Sequence, residues 1–310
     1  MRLSILDQVP VTDHIARDGA AAAGVRLAGE AEELGYHRIW FAEHHLSRAF
    51  ASTAPEIMAA LALERTQRIR VGTGGILLPL YPATKVLEVA TLLDEVHPGR
   101  SDIGVGRGAY DDPHYGEKIR QLTRALGSHP AADGEPTSRV WVLGAGGSAA
   151  PLAGEVGAGY AHGHFFVPHG GEAATAAYRA AAGKAAHRAR TVLAVRAVTA
   201  STDAQARALA QAMLLWRVRK DVGDERPIPS VQSAKEHRWS EIETRRAHAR
   251  AQGIVFGTPD VVGSRLRALA EAHQADELMI NTLVSDPADR QESYRLLAQQ
   301  LLVSAEARDK

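Results

Sequence analysis

Short apolar runs alternate with longer amphipathic stretches along the whole chain. Leu3 to Leu6 is the first run; Asp7-Gln8-Val9-Pro10 closes it, which predicts a strand and a turn. From Arg17 to Leu34 apolar residues recur at Val25, Ala28, Ala31 and Leu34 with charges elsewhere. That spacing predicts an amphipathic helix, stopped by Gly35. His37 to Ala42 predicts a second strand and Ser52 to Arg65 a helix with Pro55 in its first turn. Ile69 to Gly75 is a third strand, Pro82 to His97 a helix, and Ser101 to Val105 a fourth strand closed by Gly106-Arg107-Gly108. Glu117 to Leu126 reads as a helix and Gly127 to Ser138 as a loop. Val140 to Leu143, Gly159 to His164, Thr191 to Thr199 and Asp276 to Leu283 supply strands five to eight. Between them lie helices from Ser148 to Val156, Gly171 to Ala182, Thr202 to Trp216 and Thr258 to His273, and Ala288 to Leu302 closes the chain. An insertion at about 217–252 carries one expected helix, Ala234 to Ala251.

Apolar strands alternating with helices are parallel strands. A doubly wound open sheet alternates too, so strand count decides: eight units predict an α/β (β/α)8 TIM barrel over residues 1–310. The 310-residue length suits such a barrel, which takes about 250 residues. With 36 basic and 36 acidic residues the formal charge balances, which argues against nucleic acid or an anionic membrane as partner. There are no cysteines, so disulfides, thiolate nucleophiles and Cys-ligated zinc are excluded. Leu3 to Leu6 is too short for a signal-peptide core, and no apolar run approaches the ~18 residues of a membrane helix. A cytoplasmic protein is expected.

In a barrel all strand C-termini share one face, and the active site lies there. The polar and glycine residues collect at those ends: Glu43, His44 and His45; Gly74 and Gly75; Gly106, Arg107 and Tyr110; Gly144 to Ser148; His162 and His164; Asn281 and Thr282. Gly144-Ala145-Gly146-Gly147-Ser148 ends a strand and opens a helix. Its amides and the helix dipole suit a phosphate, with Arg107 as positive fork; a tight turn with a capping serine is the other reading. Walker-type and dinucleotide spacings are absent. Gly74-Gly75 marks either a simple turn or close approach of a flat ligand. Side-chain alternation lets only one of His44 and His45 face the mouth. His162-x-His164 shares one strand face, and with His44 makes a three-histidine metal site conceivable. Arg196 lies within strand seven, where its charge requires a partner or the barrel mouth.

Gly35-Tyr36-x-x-x-Trp40-x-x-Glu43-His44-His45 resembles the strand-two signature of bacterial luciferase-like flavin monooxygenases. The likeness continues through Arg70-Val71-Gly72-Thr73-Gly74-Gly75, His97 to Gly108, Trp141 to Gly144, Gly257-Thr258-Pro259 and Asp276 to Met279, in the family's order. The single-chain enzymes of actinobacterial secondary metabolism look most similar. The resemblance implies reduced FMN from a separate flavin reductase, O2 as co-substrate, a C4a-hydroperoxide, and oxygenation of a small or medium organic substrate. A homodimer is expected. Residue by residue it implies catalytic roles for His44 and Tyr110, and flavin contacts at Glu43, Gly74-Gly75 (a non-proline cis peptide), Arg107 and Ser148. His162, His164 and Arg196 are expected in the substrate pocket. Alternatives are a deazaflavin F420-dependent oxidoreductase and a flavin-binding, non-catalytic homologue. Gly106 stands where luciferase α-chains carry a cysteine, so light emission is not implied. Residues 111–138 are shorter than the family's usual segment, which leaves the substrate open.

Overall fold

The computed structural model describes residues 1–130 and 136–303. The chain runs β1 (Arg2–Asp7), α1 (Arg17–Glu33), β2 (Arg38–Phe41), α2 (Pro55–Arg65), β3 (Arg70–Leu77), α3 (Ala83–Val96), β4 (Ser101–Gly106) and α4 (Tyr115–Leu126). A hairpin of β5 (Ser128–Pro130) and β6 (Pro136–Ser138) follows, then β7 (Val140–Gly144), α5 (Ala149–Val156), β8 (Gly159–Gly163), α6 (Gly171–Ala182) and β9 (Thr191–Thr199). Last come α7 (Asp203–Asp221), α8 (Val231–Glu236), α9 (Glu241–Ala251), β10 (Ile254–Gly257), α10 (Pro259–Ala272), β11 (Glu277–Asn281) and α11 (Pro287–Ala298). Eight parallel strands close a ring in the order β1-β2-β3-β4-β7-β8-β9-β11 and back to β1. The expected TIM barrel is observed. Among the described residues no helix is long and apolar enough to cross a membrane.

The departures from expectation have local causes. β9 outruns its neighbours. Val192 to Arg196 pair with β11, and Arg196 to Thr199 pair with β10 outside the ring. The short apolar run Ile254–Gly257 thereby satisfies ladder groups that would otherwise face nothing. The insertion holds no single helix from Ala234. Ser240 accepts from the Glu243 amide while Glu243 reaches back to the Ser240 amide, and this capping box starts a separate α9. α7 runs past Trp216 to Asp221. Where a loop is expected, Ser128 pairs antiparallel with Ser138; residues 131–135 of that segment lie outside the described ones.

Alternation fixes the inner wall. Leu6, Trp40, Ala42, Trp141, Ala161, Val192, Ala194 and Met279 form one buried cluster inside the ring, with Trp40 edge-on to Trp141 at 5.3 Å. Each indole removes roughly 150–250 Å² from water. Gly159 faces Trp141; a Cβ there would stand 2.4 Å from the ring. Below the indoles the barrel is plugged by ions. Asp102 accepts from Arg38 (2.8 Å), Arg70 (2.5 Å) and Trp40 Nε1 (3.2 Å), and Arg38 pairs with Glu277 at 2.8 Å. Burial alone would raise the Asp102 carboxyl; Arg70 and Arg38 outweigh it and hold it below the usual carboxylate value.

Candidate active site

At the C-terminal ends of the strands a cavity of about 910 Å³ opens. Ligand pockets commonly span roughly 300–1,000 Å³. Its floor is apolar: Leu6, Trp40, Ala42, Leu143, Ala161, Ala194 and Met279. The expected residues Glu43, His44, Gly74, Gly75, Arg107, Tyr110, Gly144, Ala145, Gly146 and Ser148 all line it. Gly147 sits within the same turn but not on the wall. The Gly74–Gly75 peptide bond is cis, as the family likeness implied.

His44 and His45 both reach the cavity, contrary to the expectation that only one could. β2 ends at Phe41, so strand alternation no longer governs these positions. His44 stacks on Phe50 with ring centres 4.4 Å apart. The Gln8 side-chain amide lies 2.8 Å from His44 Nε2, a hydrogen bond that fixes the orientation of the ring. Burial, then the Lys220 charge, push the His44 pKa down to about 4, so the imidazole is neutral near pH 7. Glu43 is buried, and its carboxylate accepts from three donors: His45 Nε2 (2.5 Å), the Tyr81 hydroxyl (2.6 Å) and the Leu77 amide (2.8 Å). It ties the end of β2 to the end of β3, where Gly74 and Gly75 lie.

The opposite wall offers free donors. The amides of Gly146, Gly147 and Ser148 donate to nothing among the described residues. Ser148 precedes α5 without capping it through its side chain, contrary to the capping alternative. Gly144 is required, because a Cβ there would meet Ala149 Cβ at 2.5 Å. Arg107 is exposed on the cavity and pairs with no carboxylate among the described residues. Together these groups form a positive cradle at a helix N-terminus.

The three residues expected in the substrate pocket do not line it. On β8 the inward positions belong to Ala161 and Gly163, which turns His162 outward toward the helices. There His162 lies 5.8 Å from His273 between ring centres, and His164 lies 6.0 Å from it. His162 Nδ1 is 3.1 Å from the Tyr160 hydroxyl, which donates to the Gly144 carbonyl at 3.2 Å. His44 faces the cavity while His162 stands outside the strand wall, so the three-histidine alternative loses its geometry. Arg196 is buried one position beyond the floor residue Ala194 on the same face of β9, behind Phe165. Sequence reasoning missed Gln8 and Lys220, which both line the cavity. Gln8 carried a signal: it directly follows the first barrel strand. Lys220 carried none, being one cation in a charged helical stretch.

Comparison with known proteins agrees with this arrangement. A sequence model described as luciferase-like monooxygenase matches residues 1–121 and 111–275. The uncharacterised Bacillus subtilis (strain 168) protein YwcH is 33% identical over 326 positions, covering 95% of this chain and 97% of its own length. The crystal structure of apo-MsnO8 superposes with a TM-score of 0.82 at 32% identity, over 96% of this chain and 98% of that one. The oxygenating constituent of 3,6-diketocamphane monooxygenase from Pseudomonas putida, in complex with FMN, shares the fold at 17% identity and a TM-score of 0.69, over 97% of this chain and 98% of that one.

Proposed function

Since the chain belongs to the luciferase-like monooxygenase family, we propose that the cavity binds reduced FMN and a small organic substrate, and that the protein oxygenates the latter with O2. The observation that carries this reading is one cavity holding an anion cradle on one wall and a neutral, fixed imidazole on the other. The residues fit a flavin. Gly106 and Gly146 present bare backbone to open space: a Cβ on Gly106 would meet only Leu143 Cβ at 4.0 Å, and one on Gly146 nothing within 4 Å. The apolar floor suits a flat ring.

Arg107 and the amides of Gly146 to Ser148 would hold the phosphate. Gly74 and Gly75, braced through Glu43 and the Leu77 amide, would support the ring. When bound, reduced FMN supplies two electrons and, with O2, an oxygen atom for transfer. His44 is held in place by Gln8 and carries no resident positive charge near pH 7. Tyr110, exposed on the cavity wall, would offer a hydroxyl toward the substrate. The apolar floor would keep water from the underside of the reacting centre. In this proposal a separate reductase delivers the flavin by diffusion. The protein is proposed to be a homodimer: α2 exposes Ile57 and Leu61, and α3 exposes Leu92 and Val96.

Titration with photoreduced FMN under nitrogen tests the reading, with saturable binding as the expected result. Absence of binding would overturn it, and preferential binding of F420 would move it to hydride transfer. Product formation that requires NADH, O2 and an added flavin reductase would separate a catalyst from a non-catalytic flavin binder.

A further inference from the structure

Arg196 is 5% exposed and has no carboxylate partner among the described residues. An isolated buried guanidinium is costly, so its surroundings matter. Its carbon lies 4.8 Å from the Phe165 ring centre and 5.3 Å from that of Trp216, so aromatic rings take its faces. Nε donates to Asn281 Oδ1 at 3.2 Å, while neither terminal amino nitrogen donates to any described residue. The neighbouring cations are already compensated: Lys220 by Glu225 at 2.8 Å and Arg217 by Asp221 at 2.9 Å. Burial, then Arg217, lower the Arg196 pKa to about 9, which leaves it charged near pH 7.

Its position points to a ligand. Ala194, two residues earlier on the inner face of β9, is cavity floor; Phe165 and Lys220, which share its aromatic surroundings, are cavity wall. β9 stands two strands round the ring from β7 and three from β4, which carry the phosphate cradle. A guanidinium with both amino nitrogens free matches a planar carboxylate through two parallel bonds. We propose that Arg196 receives a carboxylate of the substrate, so that this enzyme takes organic acids, anchored on the β9 side of the cavity. The proposal rests on the reading of this cavity as the flavin and substrate site.

The test titrates FMN-loaded protein with benzoate, a planar carboxylate, and with benzamide, its neutral counterpart. Benzoate is expected to bind saturably below about 10 mM, and benzamide at least ~10-fold more weakly, a difference of about 1.4 kcal/mol. Arg196→Gln should weaken benzoate by roughly 30-fold or more and leave FMN binding unchanged. Arg196→Lys, which keeps the charge and loses the fork, should fall between. The melting temperature of Arg196→Gln should equal or exceed that of the parent, because an uncompensated buried charge is gone. Equal binding of the two probes, no benzoate binding, or undiminished benzoate binding to Arg196→Gln overturns the proposal. So does loss of benzoate binding in Arg107→Ala instead, or a Tm fall beyond about 5 °C in Arg196→Gln, which would make the guanidinium structural. Thermal shift by benzoate on flavin-free protein separates the two readings: absence of FMN binding fails the flavin assignment, while a benzoate response abolished by Arg196→Gln still supports the carboxylate site.

Discussion

Arg38 and Arg196 are both buried inside the barrel, one at each end of it. Arg38 has Asp102 and Glu277 at 2.8 Å, and indoles against its plane. Arg196 has aromatic rings and one amide oxygen. Burial depth and cation–π contact are alike; the counter-charge differs. A buried charge supplied with its partners closes one end of the barrel, whereas a buried charge left without one marks an end that is open to chemistry.

Breaking the compensated end should have the largest effect. Asp102→Asn leaves Arg38 and Arg70 with less negative charge than they need and is expected to cost about 3–5 kcal/mol in urea unfolding. A loss below ~1 kcal/mol would show that the plug is not held by its charges. Because the Asp102 pKa is depressed, its contribution is present above the unfolded carboxylate value of about 3.9 and is lost as pH falls through the lower folded value.

At the open end, His44→Ala should leave cooperative unfolding intact and cut reductase-supported turnover by ~10²-fold or more. Unchanged turnover would remove the imidazole from the chemistry. Arg107→Ala should weaken FMN roughly tenfold, from loss of a charge-assisted bond, and leave riboflavin binding unaltered. Equal weakening of both would break the phosphate assignment.

Group by group, the smallest effects come from pH. Burial first of all lowers His37, His44, His162 and His164 to about 4. The unfolded chain binds their protons near pH 6.5, so stability is full above that value and declines as pH falls toward 4, on the order of 1 kcal/mol per group. Stability that is flat from pH 7 to 4.5 would show these imidazoles to be solvated. Turnover should show no His44 limb near 6.5.

The barrel was legible because eight apolar runs of strand length alternate with amphipathic stretches, a pattern that local physics determines. β10 was not, because Ile254–Gly257 is short and its role depends on β9 outrunning its neighbours, a tertiary fact. The cavity wall was legible wherever a glycine cluster or ionisable residue ends a strand, as at Gly74-Gly75 and Arg107. His162 was misplaced because strand-end position does not reveal parity: whether odd or even residues face inward is decided by which small side chains the interior accepts, here Ala161 and Gly163. His45 was expected to turn away from the cavity for a different reason, since alternation was applied past Phe41, where the strand stops.

The floor alanines carry a consequence for how such an enzyme diversifies. Ala161 and Ala194 project from two strands of a rigid ring into the cavity and Ala42 directly follows a third, and each methyl marks a place where a larger side chain is absent. Substrate range is therefore adjustable by single exchanges at strand positions, which trim the chamber from below while the cradle, the cis segment and the imidazole stay where they are. A scaffold with its size-determining residues on strands and its reactive groups on the loops above them can change what it accepts without rebuilding how it reacts.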